Sequence, residues 1–377
     1  MIFELKESDR RYLGLNEIED TWQRKEINEN CIYYVDNESF IRKVCYIFPD
    51  PEHMEALAFL EKDTYYKLDD EVILTNPKRG TKKKLSASNL FDLKAMNVRF
   101  LYRGKAEIFN QASYIKYCSS PRLEDFSQLR TWLDSYIDDT TVADLAEIAE
   151  FKVQTKKHFV PKDGDFFSFK IDRRTYGFGR VIFNAFQYAR KNKATCKDDL
   201  PLFFEQFFEA PVIVKFYLYV SDTPYIDTNI LKSKKSLPSF SLSEYYLWIG
   251  QYPIIGNAPL EPDEYDFPIM VHELRYFQWG WIYKTSNRNQ NRHSFMFSTY
   301  TGSPNGYEKD LLISCIQEDS LDPYWRREAE PLIMDGRRYI DFRNPAFAKD
   351  RLEVFNAFGI DISKSYWENL EIFNQDK

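Results

Sequence analysis

The run Tyr176-Gly177-Phe178-Gly179-Arg180-Val181-Ile182 follows Gly164-Asp165-Phe166-Phe167-Ser168-Phe169-Lys170-Ile171 across a polar gap, Asp172-Arg173-Arg174-Thr175. Phe167, Phe169 and Ile171 share one face of the first run by period-two alternation, and the gap is polar enough to turn in water. The pair therefore reads as a β-hairpin. Gly177 and Gly179 share one face of its second strand, where missing side chains admit another backbone or an aromatic ring. The expected role of that glycine face is packing rather than ligand contact.

A third element lies further along the chain, Trp248-Ile249-Gly250-Gln251-Tyr252-Pro253-Ile254-Ile255-Gly256-Asn257-Ala258-Pro259-Leu260. The order and spacing of the three elements resemble the immunity protein 26 family of bacterial polymorphic toxin systems, over roughly residues 155–270. The residues that carry the resemblance are Gly164 and Asp165, then Tyr176, Gly177, Gly179 and Val181, then Pro253, Ile255, Gly256, Ala258 and Pro259. The resemblance implies a cytoplasmic antidote that binds a cognate toxin domain and blocks it by steric occlusion, with no turnover. A phosphotriesterase-like label is also attached to such proteins. That activity needs two metals held by His and carboxylate ligands, and the four histidines, His53, His158, His272 and His293, form no His-x-His or His-Glu-x-x-His unit.

A chain of 377 residues is more comfortable as two domains than one. Aromatic residues make up 17%, with 31 Phe and 26 Tyr, which favours strands and also suits protein interfaces. Cysteines 31, 45, 118, 196 and 315 have no short paired spacing, so neither a Cys-x-x-Cys metal site nor a disulfide framework is expected. The start Met1-Ile2-Phe3-Glu4-Leu5-Lys6-Glu7 lacks a basic then apolar leader, and no apolar run is long enough to span a bilayer. A cytoplasmic protein without a membrane partner is the expectation. A net charge of −7 argues against nucleic acid as the partner. The segment Pro77-Lys78-Arg79-Gly80-Thr81-Lys82-Lys83-Lys84 is basic, and a solvated hairpin tip is its expected role.

The expected fold is α+β and β-rich. Residues 1–120 read as an antiparallel strand-rich module of unassigned role, with strands at 31–35, 40–48, 71–74 and 98–102. Residues 121–153 read as a helical connector. Its first helix begins at Pro121 with Ser120 as N-cap, and its second opens behind Thr140 and Thr141. Asp134, Asp138, Asp144, Glu147 and Glu150 form its solvated acidic face. Residues 154–377 read as the second, mostly antiparallel β domain, the one that resembles the immunity family, closed by C-terminal helices. In it, Asp199–Phe208 is a short buried helix, Pro211–Val220 an interior strand, and Phe277, Trp279, Trp281 and Tyr283 one packed strand face. Phe347–Phe358 forms a helix stopped by Gly359, and Ser365 with Glu368 is a capping box.

No nucleophile elbow or phosphate-binding loop occurs, and the Tyr176–Gly179 glycines lack the third glycine of a dinucleotide site, so no cofactor and no catalytic residue is assigned. Asp165, Asp172 and Arg173 sit at turn edges, where Asp commonly caps backbone N–H groups. The candidate toxin-facing patch is the acidic loop after Pro259, with Glu261, Asp263, Glu264, Tyr265 and Asp266, and a Pro-rich acidic loop that is simply solvated is the other reading of the same residues. Such a loop suits a basic toxin, for instance a nuclease, and would speed encounter by electrostatic steering. Two alternatives stay open, a hydrolase without a recognisable motif and a nucleic-acid module built on Lys78–Lys84 and nearby aromatics.

Overall fold

The computed structural model describes residues 3–48, 57–76, 79–101, 103–184, 187, 211–272, 276–285, 307–327, 332–334, 337–339 and 341–375. The chain is α+β and rich in antiparallel sheet, and it divides into two compact units, Met1–His158 and Phe159–Lys377.

The first unit is built on one sheet with strands β1 (Gln23–Asn28), β2 (Cys31–Val35), β3 (Phe40–Ile47), β4 (Leu57–Asp69), β5 (Val72–Asn76), β6 (Thr81–Lys84), β7 (Met96–Leu101), β8 (Gly104–Asn110) and β9 (Ile115–Leu123). The order is β1-β2-β3-β4-β7-β8-β9, with β5 and β6 branching from β4 as a hairpin, and a one-turn helix α1 (Glu7–Arg10) precedes β1. Adjacent Val44 and Cys45 enter different cores, because neighbouring strand residues point to opposite faces. One core holds Ile41, Leu68 and Ile73 under Leu90 of α2 (Ala87–Phe91). The other joins Phe59, Val98 and Ile108 to Leu129 and Leu133 of α3 (Phe126–Asp138) and Ile148 of α4 (Val142–Lys152). The helices expected as a connector are thus part of the first unit's core.

Helix α3 starts later than the sequence suggests. Ser120 and Pro121 lie in β9, the last strand of the sheet, where an edge tolerates a residue without an N–H. Ser120 Oγ accepts the Ala106 N–H at 2.8 Å, and Asp125 caps the helix by accepting the Gln128 N–H at 2.8 Å. Thr141 caps α4 as expected, in a reciprocal box with Asp144. That use buries Asp144, and Glu147 accepts the Tyr117 hydroxyl at 2.8 Å, so the acidic face is partly spent inside the unit.

The middle of β4 carries Glu61, Lys62 and Asp63, all buried. Arg10, itself fully buried, pairs with Glu61 and with Asp63, the latter at 2.6 Å. Lys43 lies 3.3 Å from Glu61 and 3.0 Å from Glu4. This network fastens the N-terminal segment across β3 and β4. Lys62 donates to the Leu93 carbonyl at 3.0 Å and to that of Phe91, and burial pushes its ammonium down to about 8.

The second unit has a five-stranded sheet, β10 (Asp165–Lys170), β11 (Tyr176–Asn184), β12 (Pro211–Ser221), β13 (Phe240–Ser243) and β14 (Ile254–Asn257), in the order β13-β12-β11-β10-β14. The strand expected at Pro211–Val220 is interior, between β11 and β13. One face of this sheet packs Phe167, Phe169, Val214 and Phe216 on Leu312 and Cys315 of the helix Tyr307–Gln317. A smaller sheet, β15 (Ile269–His272), β16 (Tyr276–Trp279) and β17 (Ile282–Thr285), packs on the helices Ala348–Phe358 and Tyr366–Gln375. The expected aromatic strand face is a hairpin instead. Trp279 pairs with Ile282 across Gly280 and Trp281, and Gly280 turns the chain at φ +54°. Phe277 and Trp279 pack on Phe355, as a core face should. Gly359 ends the first of these helices in the left-handed region, and Ser365 and Glu368 box the start of the second. A further pair, β18 (Leu332–Met334) and β19 (Arg337–Tyr339), is antiparallel. The helix expected at Asp199–Phe208 lies outside the described residues, as do His53 and His293.

Candidate functional site

The three sequence elements meet at one edge of the five-stranded sheet, where β10 pairs with β11 on one side and β14 on the other. Register explains the glycines. Gly177 faces Phe169 and Gly179 faces Phe167, and a Cβ at either position would sit 2.5 Å or 2.3 Å from the partner's ring. The outer atoms of the rings occupy the space of the missing side chains, and the rings join the Phe216 and Tyr252 cluster.

Gly164 is required twice over. Its φ is +85°, and a Cβ would lie 2.1 Å from the Ala258 carbonyl oxygen. Its N–H donates to Val181 O at 2.8 Å and its carbonyl accepts the Ala258 N–H at 3.2 Å, so it ties the hairpin to the third element. Asp165 accepts the Lys162 N–H and the Asn257 amide, each at 2.7 Å. Asp172 likewise accepts the Arg174 and Thr175 N–H groups at 2.9 and 2.8 Å. Tyr176 starts β11 with Lys170 5.6 Å above its ring, and Val181 is buried beside Phe167. The Pro253 carbonyl accepts the Ser168 N–H at 3.1 Å, Ile255 packs on the Phe166 and Tyr217 cluster, and Gly256 lies against Thr228.

The residue that organises this corner is Arg180, in an unassigned position of the second motif. It is fully buried, with its guanidinium 4.4 Å over the Phe166 ring. Nη2 donates to the carbonyls of Ala258 and Pro259 at 2.7 and 2.8 Å, and Nη1 pairs with Glu264. Lys215 reaches the same Glu264 oxygen at 3.1 Å, while Glu264 Oε2 accepts the Glu261 N–H at 2.8 Å. Burial raises the Glu264 carboxyl, but that N–H, Lys215 and Arg180 outweigh it and hold the group below its ordinary range. One signal for Arg180 was present in the sequence: it is the single charge between Tyr176 and Ile182, upstream of an acidic loop.

The acidic loop is therefore docked. Glu264 is tied to the sheet, and Tyr265 packs on Phe267 and Trp367, with ring centroids 5.7 and 5.2 Å away. Trp367 Nε1 donates to the Pro262 carbonyl at 2.7 Å. Asp266 accepts the Ser239 N–H and an Arg343 N–H, each at 3.1 Å. Glu261 and Asp263 remain exposed at the tip of a single 3-10 turn, Pro262–Glu264. Among the described residues no three His, Cys, Asp or Glu side chains are grouped to hold a metal, and no helix is long and apolar enough to cross a membrane.

Residues 162–276 match the Immunity protein 26 family. That span begins just before Gly164 and ends as β16 starts, so it contains all three motif elements, Arg180 and the acidic turn. It leaves the first unit and the C-terminal helices outside the immunity protein 26 match. No curated protein and no solved structure matches the chain.

Proposed function

We propose that this protein is an immunity protein that binds a cognate polymorphic toxin and neutralises it by occlusion, without turnover. The match of residues 162–276 to immunity protein 26 carries this reading. The geometry of the same span supports it: a rigid sheet corner presents Glu261 and Asp263 on a turn whose other side chains are anchored. Binding by a preformed turn loses little conformational entropy, which is what a tight inhibitor needs. Exposed carboxylates on that turn suit a basic toxin surface and would act first on the association rate.

The test is co-expression with the toxin encoded beside it, followed by co-purification and growth rescue. A stable one-to-one complex with rescue is the expected result. A folded protein that neither binds nor protects would overturn the reading and turn attention to hydrolase substrates.

A further inference from the structure

The solvent face of the first unit's β3–β4–β5–β6 region carries a row that the motif match does not touch. Phe40 pairs with Lys67, Lys67 with Leu74, and Leu74 with Lys82. Paired residues of antiparallel strands project to the same side, so these four side chains cross the face in one line. The neighbours Ile41, Leu68 and Ile73 point the other way, into the core. Tyr65, two residues before Lys67 on β4, is 60% exposed.

The aromatic rings on this face are held in place. Arg42 lies 5.5 Å over the Phe40 ring and 4.8 Å over the Tyr65 ring, and Lys67 is 5.9 Å from Phe40. Asp36 fixes Arg42 through a 2.5 Å contact to Nε and is itself set by the Glu38 and Phe40 N–H groups at 2.9 and 2.8 Å. Asn16 Nδ2 donates to the Tyr65 hydroxyl at 2.8 Å. An exposed tyrosine with its hydroxyl anchored and its ring braced by a guanidinium has already lost its rotamer freedom. Lys67 and Lys82 are exposed and make no ion pair among the described residues. Of the carboxylates near the row, Asp36 is spent on Arg42, and Asp69 sits at the β4–β5 turn, where its partner Val72 pairs with Lys84, so Lys67 and Lys82 leave the row cationic on a chain of net charge −7.

We propose that this face, with Tyr65, Phe40, Arg42, Lys67 and Lys82, binds single-stranded nucleic acid. Braced rings offer stacking platforms to unpaired bases, and lysines one strand apart meet the phosphate backbone. Charge complementarity selects the occupant's sign, and the fixed rings select unpaired bases over an acidic polypeptide, which would need only the lysines. The overall negative charge, which argues against a nucleic-acid partner for the whole chain, does not decide this face, where Asp36 is spent on Arg42 and Lys67 and Lys82 are left to meet an anion.

The test uses the full chain and fluorescence anisotropy with labelled oligo(dT), oligo(U), a DNA duplex of equal length and poly-glutamate as competitor. Single strands bind in preference to duplex, and two neutralised phosphates give a log–log salt slope of about −1.4. Lys67→Glu with Lys82→Glu lowers affinity about tenfold or more, and Tyr65→Ala lowers it by about fivefold or more through lost stacking. Tyr225→Ala, an exposed tyrosine on the second unit, leaves binding unchanged. Both test variants replace exposed side chains, and thermal melting of each reports retained folding. Absence of saturable binding at low salt, equal affinity for duplex, displacement by poly-glutamate as effective as by unlabelled oligonucleotide, or full affinity in folded Tyr65→Ala would each overturn the proposal.

Discussion

Both units bury an arginine against carboxylates, yet the two clusters do different things. In the first, Arg10 arrives on the N-terminal segment and meets Glu61 and Asp63 on a central strand, with Lys43 completing the charge balance. In the second, Arg180 is on the central strand and the carboxylate, Glu264, arrives on a loop. Buried ion pairs add little net stability over a well-packed apolar core, but breaking one is costly, so they specify where a segment lies. The first cluster places a terminal strap. The second places the turn that presents Glu261 and Asp263, and it does so inside the immunity protein 26 match.

The largest effects come from removing one side of each pair. Glu264→Lys costs about 3–5 kcal/mol because it strands the buried Arg180 guanidinium, Arg10→Met costs a similar amount by leaving Glu61 and Asp63 buried without it, and Arg180→Met costs less because Lys215 still pairs with Glu264. The distinguishing readout is toxin affinity alongside denaturant unfolding. Arg180→Met releases the 259–266 turn to proteolysis and loses the toxin, whereas Arg10→Met weakens the first unit with the turn still protected. Equal protection of the turn in both variants would show that Arg180 does not position it.

Glycine substitutions come next. Gly164→Ala forces a Cβ against the Ala258 carbonyl and strains a positive φ, for about 3 kcal/mol. Gly179→Val drives a branched side chain into the Phe167 ring and the Lys215 carbonyl, for about 2–3 kcal/mol. A melting temperature unchanged by Gly179→Val would remove the packing role. Smaller still, and confined to binding, is Asp263→Lys: its side chain is exposed, so the melting temperature stays nearly unchanged while association with a basic toxin slows, by about tenfold or less. Unaltered association kinetics would take the turn out of the interface.

Much of this architecture was legible from residue pattern. Alternation located the 164–182 hairpin, a run apolar on both faces located the interior strand at Pro211, and apolar runs between turn residues located the strands at 31–35 and 40–48, the last ending one residue earlier in the structure. The central strand β4 did not, since Glu61, Lys62 and Asp63 interrupt its apolar face and only long-range partners make their burial possible. The aromatic alternation at 277–283 read as one strand because a two-residue turn through Gly280 preserves the period. For the site, the motif residues and the acidic loop were visible but their connection was not. Whether Glu264 faces a toxin or the sheet depends on Arg180, 84 residues earlier, and single-segment patterns hold no such distance.

Acid provides the smallest effect and the finest comparison of the clusters. Glu264 titrates below its ordinary range because the Glu261 N–H, Lys215 and Arg180 outweigh its burial. A carboxyl depressed by folding contributes stability above its unfolded value, about 4.3, and that contribution is lost as pH falls through the lower folded value. Asp63 has the opposite sign: burial outweighs Arg10, Asn16 and Lys152 and holds its carboxyl above the ordinary range. Folding therefore costs most at Asp63 when both states are ionised, and the cost is relieved as pH falls through its folded value toward about 3.9. Titrating from pH 6 to pH 3 should thus weaken the Glu264 contact while easing the Asp63 burial, so Glu264→Gln flattens the second unit's acid profile and Asp63→Asn steepens the first unit's. Trp279 and Trp281 lie in the second unit and Trp22 and Trp132 in the first, so single-tryptophan variants report each unit separately. In Glu264→Gln the acid sensitivity of the second unit diminishes, while that of the first is untouched. If Glu264→Gln leaves the second unit's profile unchanged, or Asp63→Asn leaves the first unit's unchanged, the two clusters do not differ in the way their geometry indicates.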